Sequence, residues 1–377
     1  MSLSSALSIA DLRRLAQRRL PRMVFDYLDG GAEDEVSLRA NRAAFEALRL
    51  QPRLLRDASV RDPRVNLFGR EWAMPVAVAP VGLAGVFWPQ GDLHTARAAG
   101  RAGVPFILST ASSVSLEDVA RGAPDTELWF QLYVISRRIA DALVERALAA
   151  GYRTLVLTID VPVSGYRERD LRNGFAQPFR VTPRTVLDVA RHPGWLWRMA
   201  RHGSPQLANL ATVDAADAES QAALLKRQMD ASFDWHALAR LRERWPHRLL
   251  VKGVLHPDDA RDAFALGVDG LVLSNHGGRQ LDGALGALDL LPRVAALAGG
   301  RPVLVDGGVR RGVDVLRALA LGASGVLLGR AVQYGLAAGG EAGAGRALAL
   351  LREELDRAMA LCALRQISEI GPDLLAP

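Results

Sequence analysis

Eight short apolar runs, separated by longer segments with helical spacing, are the feature that most limits how this chain can fold. Most are rich in Val, Ile and Leu, which is typical of parallel strands buried on both faces. They are Pro75–Ala79, Phe106–Ser109, Leu128–Leu132, Thr154–Ile159, Leu249–Lys252, Gly270–Ser274, Pro302–Asp306 and Gly325–Leu328. Eight strand–helix units predict an α/β fold of the (β/α)8 TIM-barrel type, a closed barrel more than an open doubly wound sheet.

We expect residues 1–377 to form a single barrel domain with additions at both ends. Residues 1–70 read as an N-terminal helical segment, in which Ser8 and Asp11 predict the start of a helix. After the eighth run, residues 351–370 predict a closing helix.

The regular spacing is broken once, between the fourth and fifth runs, where residues 162–248 exceed what one helix needs. The central part of this insertion, residues 175–215, mixes Trp195 and Trp197 with arginines such as Arg198. The mixture predicts either an interfacial membrane helix or a surface excursion that covers the site or packs on a neighbouring subunit. If the insertion lies on the membrane face, removal of about residues 178–212 is expected to leave a soluble, active enzyme.

Composition excludes several classes of protein. Hydrophobic residues make up 49% of the chain and charged residues 23%, which fits a globular protein and not a disordered one. The single cysteine, Cys362, excludes an internal disulfide and a cysteine-cluster metal site, so we predict no metal and a reducing compartment. The net charge is +6, but the arginines are spread among acidic residues and no nucleic-acid-binding motif occurs, so no nucleic-acid partner is expected.

The N-terminus carries charges too early for a signal peptide, and no apolar run is long enough to span a bilayer. These features predict a location on the cytoplasmic side, with attachment to the inner membrane face if the insertion binds lipid.

Polar residues follow most of the runs at the end where barrel enzymes carry their active sites. Random surface polarity would not concentrate at one end of most strands, so this pattern predicts an enzyme. The residues are Ser109, Gln131, Tyr133, Thr158, Asp160, Lys252, Ser274 and His276.

The loops after the seventh and eighth runs predict a phosphate site. Gly307 and Gly308 precede Arg310, and Gly329 precedes Arg330. Glycines let backbone N–H groups approach an anion, and barrel enzymes commonly bind phosphate at this place. The alternative is ordinary turn glycines followed by arginines that face solvent.

The segment SNHGGRQLDG holds the densest set of candidate catalytic residues. His276 can take a hydroxyl proton near neutral pH, and the planar guanidinium of Arg279 suits a carboxylate. Asp160, at another strand end, would orient the imidazole and stabilise its protonated form. Lys252 stands alone among apolar residues, which is costly unless it meets an anion such as a reduced flavin. The alternatives are a solvated loop histidine and an exposed lysine at a strand end.

These residues resemble those of the FMN-dependent 2-hydroxy-acid dehydrogenases and oxidases. The resemblance covers nearly the whole chain and is carried by SNHGGRQLDG, DGGVRRG, FDYLDGGAED, FQLYV and LVKG in order. The segments GYRERDLRNGF, LSTASS, MDAS and HGSPQLANL are most similar to the (S)-mandelate dehydrogenase branch.

The resemblance implies that His276 is the catalytic base and Asp160 its partner. It implies that Arg279, Tyr27 and Arg167 hold the substrate carboxylate or close over it, and that Tyr133 binds the substrate hydroxyl. Two electrons pass to the flavin, as a hydride or through a carbanion. The residues implied in FMN binding are Ala79, Pro80, Val81, Gly82, Ser109, Gln131, Thr158, Lys252, Ser274, Asp306, Gly307, Gly308, Arg310, Gly329 and Arg330.

Three positions refine this expectation. Val81 stands where many members have threonine, so one polar group near the flavin is missing. Gly82 stands where many oxidases have alanine, which favours a dehydrogenase that passes electrons to a quinone or another carrier. Ala111 stands where members resembling glycolate oxidase have a bulky aromatic, which leaves room for a phenyl group. We therefore expect (S)-mandelate or a similar large 2-hydroxy acid, and by analogy a homotetramer.

Other functions share part of this pattern. An L-lactate dehydrogenase and an oxygen-using oxidase fit the same residues. A barrel enzyme resembling IMP dehydrogenase needs a loop cysteine, and Cys362 lies in the predicted closing helix. A noncatalytic flavin-binding scaffold would not need His276, Asp160, Tyr133 and Arg279 together.

Overall fold

A closed barrel of eight parallel strands forms the centre of the molecule. The computed structural model describes residues 2–175, 182–211 and 230–376. Strand pairing runs in chain order around the barrel and closes between the first and last strands, which confirms the predicted TIM barrel and all eight predicted strands. The strands are β1 Val76–Val78, β2 Phe106–Ser109, β3 Leu128–Leu132, β4 Thr154–Thr158, β5 Arg248–Val254, β6 Gly270–Leu273, β7 Val303–Asp306 and β8 Gly325–Leu328.

Two apolar layers hold the barrel together. Every strand contributes at least one residue to the barrel interior, including Trp129, Val156 and Leu327, all at most 1% exposed. Most of the other apolar strand residues belong to the larger core, which includes residues of the surrounding helices. The hairpin of residues 65–72 places Phe68 and Trp72 against Trp129 and closes the N-terminal end of the barrel. The opposite end is therefore the one available for a site.

Helices surround the barrel, and one of them ends earlier than predicted. The predicted closing helix of residues 351–370 ends at Leu361, because the chain then turns through Ala363 at φ 53°. Cys362 is thus the helix C-cap and not part of the helix. The helices in the described ranges are α1 Ile9–Arg19, α2 Arg22–Asp29, α3 Val36–Ala47, α4 Gly91–Arg101, α5 Leu116–Gly122, α6 Arg137–Ala149, α7 Glu168–Arg172, α8 Pro183–Ala190, α9 Pro193–His202, α10 Ala208–Ala211, α11 Trp235–Arg244, α12 Pro257–Ala265, α13 Ala287–Leu297, α14 Gly312–Ala320 and α15 Arg330–Leu361.

The N-terminal helices close over the barrel mouth. Ser8 caps α1 by accepting a hydrogen bond from the backbone N–H of Asp11, as the sequence predicted. At the end of α2, Asp29 accepts two hydrogen bonds from Arg13 and one, at 2.7 Å, from the hydroxyl of Tyr334. The next residue, Gly30, presents its carbonyl to the site.

The central part of the insertion, residues 175–215, contributes three helices within its described ranges, α8 to α10, and its residues 176–181 and 212–215 lie outside the described residues. Helices α8 and α9 expose Val186, Leu187, Leu196 and Trp197. In contrast, Trp195 of α9 turns inward, and its indole N–H donates to the carbonyl of Val86 at 2.8 Å. No helix among the residues described combines the length and apolar character needed to cross a bilayer.

Candidate active site

A cavity of about 480 Å³ opens at the C-terminal ends of the barrel strands. Most of the predicted site residues line it. Four predicted residues, Gln131, Thr158, Asp160 and Ser274, do not line the cavity but support residues that do or lie beside them on neighbouring strands. The predicted residues in the lining are Tyr27, Ala79, Pro80, Val81, Gly82, Ser109, Ala111, Tyr133, Arg167, Lys252, His276, Arg279, Asp306, Gly307, Gly308, Arg310, Gly329 and Arg330.

His276 stands between a carboxylate and a phenol. Its Nδ1 lies 2.9 Å from Asp160 Oδ1, and its Nε2 lies 3.2 Å from the hydroxyl of Tyr133. Burial would raise the pKa of the Asp160 carboxyl, but His276 and Lys252 outweigh this and hold that pKa below its ordinary value. An ionised carboxylate can only accept a hydrogen bond, so the ring proton resides on Nδ1. The Nε2 lone pair is then available toward the cavity.

The backbone allows Asp160 to come this close. Gly253 has φ 103°, and a Cβ there would lie 2.6 Å from Cβ of Asp160. Only glycine leaves that space and adopts that conformation without strain. The register shift in β5 between Lys252 and Val254 lies at the same residue. The irregular end of β5 therefore makes room for the carboxylate that orients His276.

Lys252 has a partner within the protein. Its Nζ lies 3.0 Å from Asp306 Oδ2 and donates to Ser274 Oγ at 2.9 Å, with the side chain 3% exposed. Burial would lower the pKa of the Lys252 ammonium, but Asp306 and Asp160 outweigh it and raise that pKa. The sequence argument that a solitary buried lysine requires a bound anion was therefore incomplete, because Asp306 comes from a strand more than 50 residues away.

Arg330, close to Arg279 in the same cavity, is buried and only partly paired. Its guanidinium donates to the carbonyls of Gly277 at 2.9 Å and Gly30 at 2.7 Å, while its Nε has no hydrogen-bond partner among the described residues. Burial, together with the neighbouring Arg279, lowers the pKa of Arg330 to about 10. A bound phosphate would satisfy the free donor and relieve this repulsion.

Two glycines of the cavity lining, Gly307 and Gly308, are required by backbone conformation and by packing. Gly307 and Gly308 both have positive φ, 99° and 86°. A Cβ on Gly308 would lie 2.3 Å from the carbonyl oxygen of Asn41 in α3, so this glycine is also required by packing. The sequence attributed both glycines to the anion alone.

Two arginines lie close to the ring of Tyr27. The guanidinium of Arg279 lies 5.2 Å from the centre of the Tyr27 ring, and that of Arg167 lies 6.0 Å from it. Arg279 also donates to the carbonyl of Gly30 at 2.7 Å. The hydroxyl of Tyr27 donates to the carbonyl of Gly82 at 3.2 Å. Two cations beside a phenol can bind a small carboxylate.

Sequence reasoning missed two residues of this wall. Phe175 stacks on Tyr27 at 4.3 Å between ring centres. Asp170 is buried in the cavity wall, and its Oδ2 lies 3.4 Å from Arg167 Nε without accepting a hydrogen bond from the described residues. Burial raises the pKa of the Asp170 carboxyl to about 6, although Arg279 opposes the rise. The spacing of Arg167 and Asp170, three positions apart at the start of a helix, could have predicted this pair.

Several buried polar atoms at the cavity fit a flavin nucleotide. Besides Arg330 Nε, they include Gln131 Nε2 and Thr158 Oγ1 at the ends of β3 and β4, and Gln333 Oε1 in the cavity lining. None has a hydrogen-bond partner among the described residues. Buried polar groups are normally satisfied, so these atoms indicate a bound group with both donors and acceptors.

A barrel whose mouth carries a histidine–carboxylate pair, a buried lysine and an arginine-lined anion site defines an enzyme class that binds a phosphorylated cofactor. The family comparison identifies it. The model of the FMN-dependent dehydrogenase family matches residues 16–377, and the chain belongs to that family. Its cofactor is FMN, and it is an oxidoreductase.

Known relatives resemble the chain over almost its full length. It is 52% identical to (S)-mandelate dehydrogenase of Pseudomonas putida over 98% of this chain and 93% of that protein. It is 46% identical to L-lactate dehydrogenase of Caulobacter vibrioides over 98% of this chain and 97% of that protein. A crystal structure of (S)-mandelate dehydrogenase, described as a monotopic membrane protein, superposes with a TM-score of 0.95 at 51% identity, over 99% of both chains.

Proposed function

We propose that this enzyme oxidises the (S) enantiomer of a 2-hydroxy acid with a large apolar substituent, with mandelate as the model substrate, to the 2-keto acid. The observation that carries the proposal is the small side-chain volume beside the His276–Asp160 pair. Ala111 and Gly82 stand together in the cavity wall, and a Cβ on Gly82 would lie only 3.1 Å from Cβ of Ala111. The relatedness to (S)-mandelate dehydrogenase supports the same substrate class.

The substrate is held by its carboxylate and its hydroxyl. Arg279 and Arg167, both close to Tyr27, bind the carboxylate. The hydroxyl of Tyr133 lies 3.2 Å from His276 Nε2, so a substrate hydroxyl placed beside both atoms can be bound by one and deprotonated by the other. Positioned groups of this kind contribute through orientation as much as through proton transfer.

His276 takes up the proton at Nε2. The resulting imidazolium lies 2.9 Å from Asp160, whose carboxylate stays ionised and stabilises the positive charge. Removal of this carboxylate would leave the imidazole free to rotate and would disfavour its protonation. Asp160 is therefore a positioning residue for the base.

FMN supplies the oxidising chemistry by accepting two electrons when bound. Lys252 and the backbone around Ala79–Gly82 would hold the ring system, with Ser109, Gln131 and Thr158 at the strand ends. Asp306 and Ser274 would fix the lysine and meet the ribityl chain. The residues proposed for the phosphate are Gly307, Gly308, Arg310, Gly329 and Arg330.

Anaerobic mixing with a panel of 2-hydroxy acids, followed by flavin absorbance, tests the substrate. Mandelate should reduce the flavin more efficiently than lactate or glycolate, and the (R) enantiomer should not reduce it. A preference for lactate would favour the second candidate, an L-lactate dehydrogenase, which the 46% identity to such enzymes supports.

The electron acceptor is proposed to be a quinone or another carrier and not oxygen. Mixing the reduced enzyme with oxygen and, separately, with a soluble quinone distinguishes the two. Reoxidation by oxygen as fast as by the quinone would identify an oxidase. The active form is proposed to be a homotetramer of single-domain subunits, each with residues 1–70 as the N-terminal helical segment. Light scattering tests the tetramer.

Peripheral membrane attachment is proposed for the insertion of residues 175–215. Trp197 is 61% exposed and lies beside Leu196 on α9, with Arg201 over its ring at 5.5 Å, which suits an interfacial helix. The attachment is placed on the cytoplasmic face of the inner membrane. Wild-type protein should float with anionic vesicles at low salt, and Trp197→Ala should float less. Recovery of the wild type wholly in the soluble fraction without detergent would refute the attachment.

A further inference from the structure

The loop of residues 109–116, between β2 and α5, carries two residues of the site. Ser109 ends β2, and Ala111 faces the proposed substituent pocket two positions later. The loop has no regular secondary structure apart from a turn in which Ser112 N–H donates to the carbonyl of Ser109 at 3.0 Å. Its shape therefore depends on what packs against it.

Asn209, from α10 of the insertion, holds this loop in place through side-chain hydrogen bonds. Its side chain is fully buried and does not line the cavity. Its Oδ1 accepts from the N–H of Leu116 at 2.8 Å. Its Nδ2 faces three acceptors, namely Ser112 Oγ at 2.9 Å and the carbonyls of Ser109 and Thr110 at 3.3 and 3.4 Å.

Only an amide of this length meets both requirements. The acceptor and donor ends of Asn209 lie on opposite sides of one rigid group, and they bond to the two ends of the loop. Aspartate would direct a second oxygen at three acceptors, and alanine would leave the Leu116 N–H and the carbonyls without partners. Unsatisfied buried groups of this kind are normally relieved by movement of the backbone.

Movement of this loop changes the pocket directly. The carbonyl of Ala111 accepts from the N–H of Leu83 at 2.8 Å, and Ser109 Oγ accepts from the N–H of Ala111 at 3.1 Å. Gly82 and Ala111 are packed closely, since a Cβ added to Gly82 would lie only 3.1 Å from Cβ of Ala111. A displacement of a few tenths of an ångström therefore alters the room for a bulky substituent, while His276 is held by other strands.

We propose that Asn209 is a positioning residue for substrate selectivity, through which the insertion sets the width of the pocket beside Ala111. The proposal rests on the proposed function, since it requires that the substituent lie beside Ala111. It also fixes where the insertion can be removed. A deletion should end before Pro205, whose side chain contacts the position of Gly85, and not at residue 212.

Asn209→Ala tests the proposal, with Tyr152→Phe as the matched control. The hydroxyl of Tyr152, also buried, donates to the carbonyl of Leu116 at 2.9 Å, so the control removes one buried hydrogen bond at the far end of the same loop. Both variants should lower Tm. Only Asn209→Ala should lower the ratio of kcat/KM for mandelate to that for lactate, by about tenfold, a size typical of a misfitted substituent.

The fall in the ratio should come mainly from a lower kcat/KM for mandelate. Flavin reduction by saturating lactate should stay unchanged within about threefold, because the His276 chemistry is not altered. An unchanged ratio in Asn209→Ala, or an equal change in Tyr152→Phe, would overturn the proposal. Should Asn209→Ala not fold, Asn209→Ser is judged by the same ratio. A wild type that prefers lactate refutes the proposed substrate instead, and the wild-type ratio is measured first for this reason.

Discussion

Replacement of Asp170 by asparagine should stabilise the protein at neutral pH although it removes a charge next to two arginines. Asp170 lies in the cavity wall with its side chain 10% exposed, and its Oδ2 accepts no hydrogen bond from the described residues. Burial raises its pKa from 3.8 to about 6, so the folded state holds a proton that the unfolded chain has already lost. Folding therefore opposes ionisation of this carboxyl.

The sign and size follow from linkage. Below about pH 3 the carboxyl is neutral in both states and its titration has no effect. As the pH rises further, toward about 6, the unfolded chain loses the proton first, and the free energy of unfolding falls. Above the folded pKa of about 6 this decrease is complete. A difference of about 2 pKa units corresponds to about 3 kcal/mol. Asp170→Asn should recover up to about 3 kcal/mol above pH 7, and about 2 kcal/mol of this should appear between pH 4.5 and 8.

Urea unfolding at a series of pH values, with the same excess of FMN throughout, measures the effect. The difference in unfolding free energy between Asp170→Asn and the wild type should grow with pH. Asp125→Asn, which changes an exposed carboxyl, serves as the control and should give a flat difference. A flat difference for Asp170→Asn, or a variant less stable at pH 8 than at pH 4.5 relative to wild type, would refute the reasoning.

Three further changes test the site itself. His276→Gln should retain bound FMN and slow flavin reduction by roughly a hundredfold to ten-thousandfold, and near-wild-type reduction in stopped flow would mean that the base is another residue. Arg330→Ala should weaken FMN retention because a buried phosphate donor is lost, which equilibrium dialysis measures; full occupancy at low added FMN would contradict the assignment. Ala111→Trp should flatten or reverse the preference for mandelate over lactate, a change of roughly tenfold to a few hundredfold in relative kcat/KM, and an unchanged order would contradict the pocket.

The fold could be predicted because its signal is local. Buried parallel strands need β-branched and apolar residues, and each run in this chain is bounded by residues that end a strand. The site could be predicted in position because all strands of a barrel end at the same rim, so His276, Asp160 and Arg279 had to lie near one another.

Other parts of the site depend on distant contacts that no local pattern contains. Lys252 on β5 is paired with Asp306 on β7, two strands along the barrel, and Gly308 is required by α3. Asn209 reaches the loop after β2 from an insertion that the sequence assigned mainly to membrane or surface contact. The closing helix was predicted to end nine residues too late, at Ile370. It ends at Leu361, because Ala363 adopts a positive φ that no helix continues.

The carbonyl of Gly30 accepts hydrogen bonds from both Arg279 and Arg330, at 2.7 Å each. Its donors are made 249 and 300 residues later in synthesis. At about 5 to 20 residues per second, the N-terminal helices therefore leave the ribosome roughly 15 to 60 s before their last partners exist. During that interval the apolar faces of α1 and α2 have no barrel to cover. The first part of the chain to be made is therefore among the last to reach its native contacts. The yield of folded enzyme is expected to depend on how well chaperones protect that segment until then.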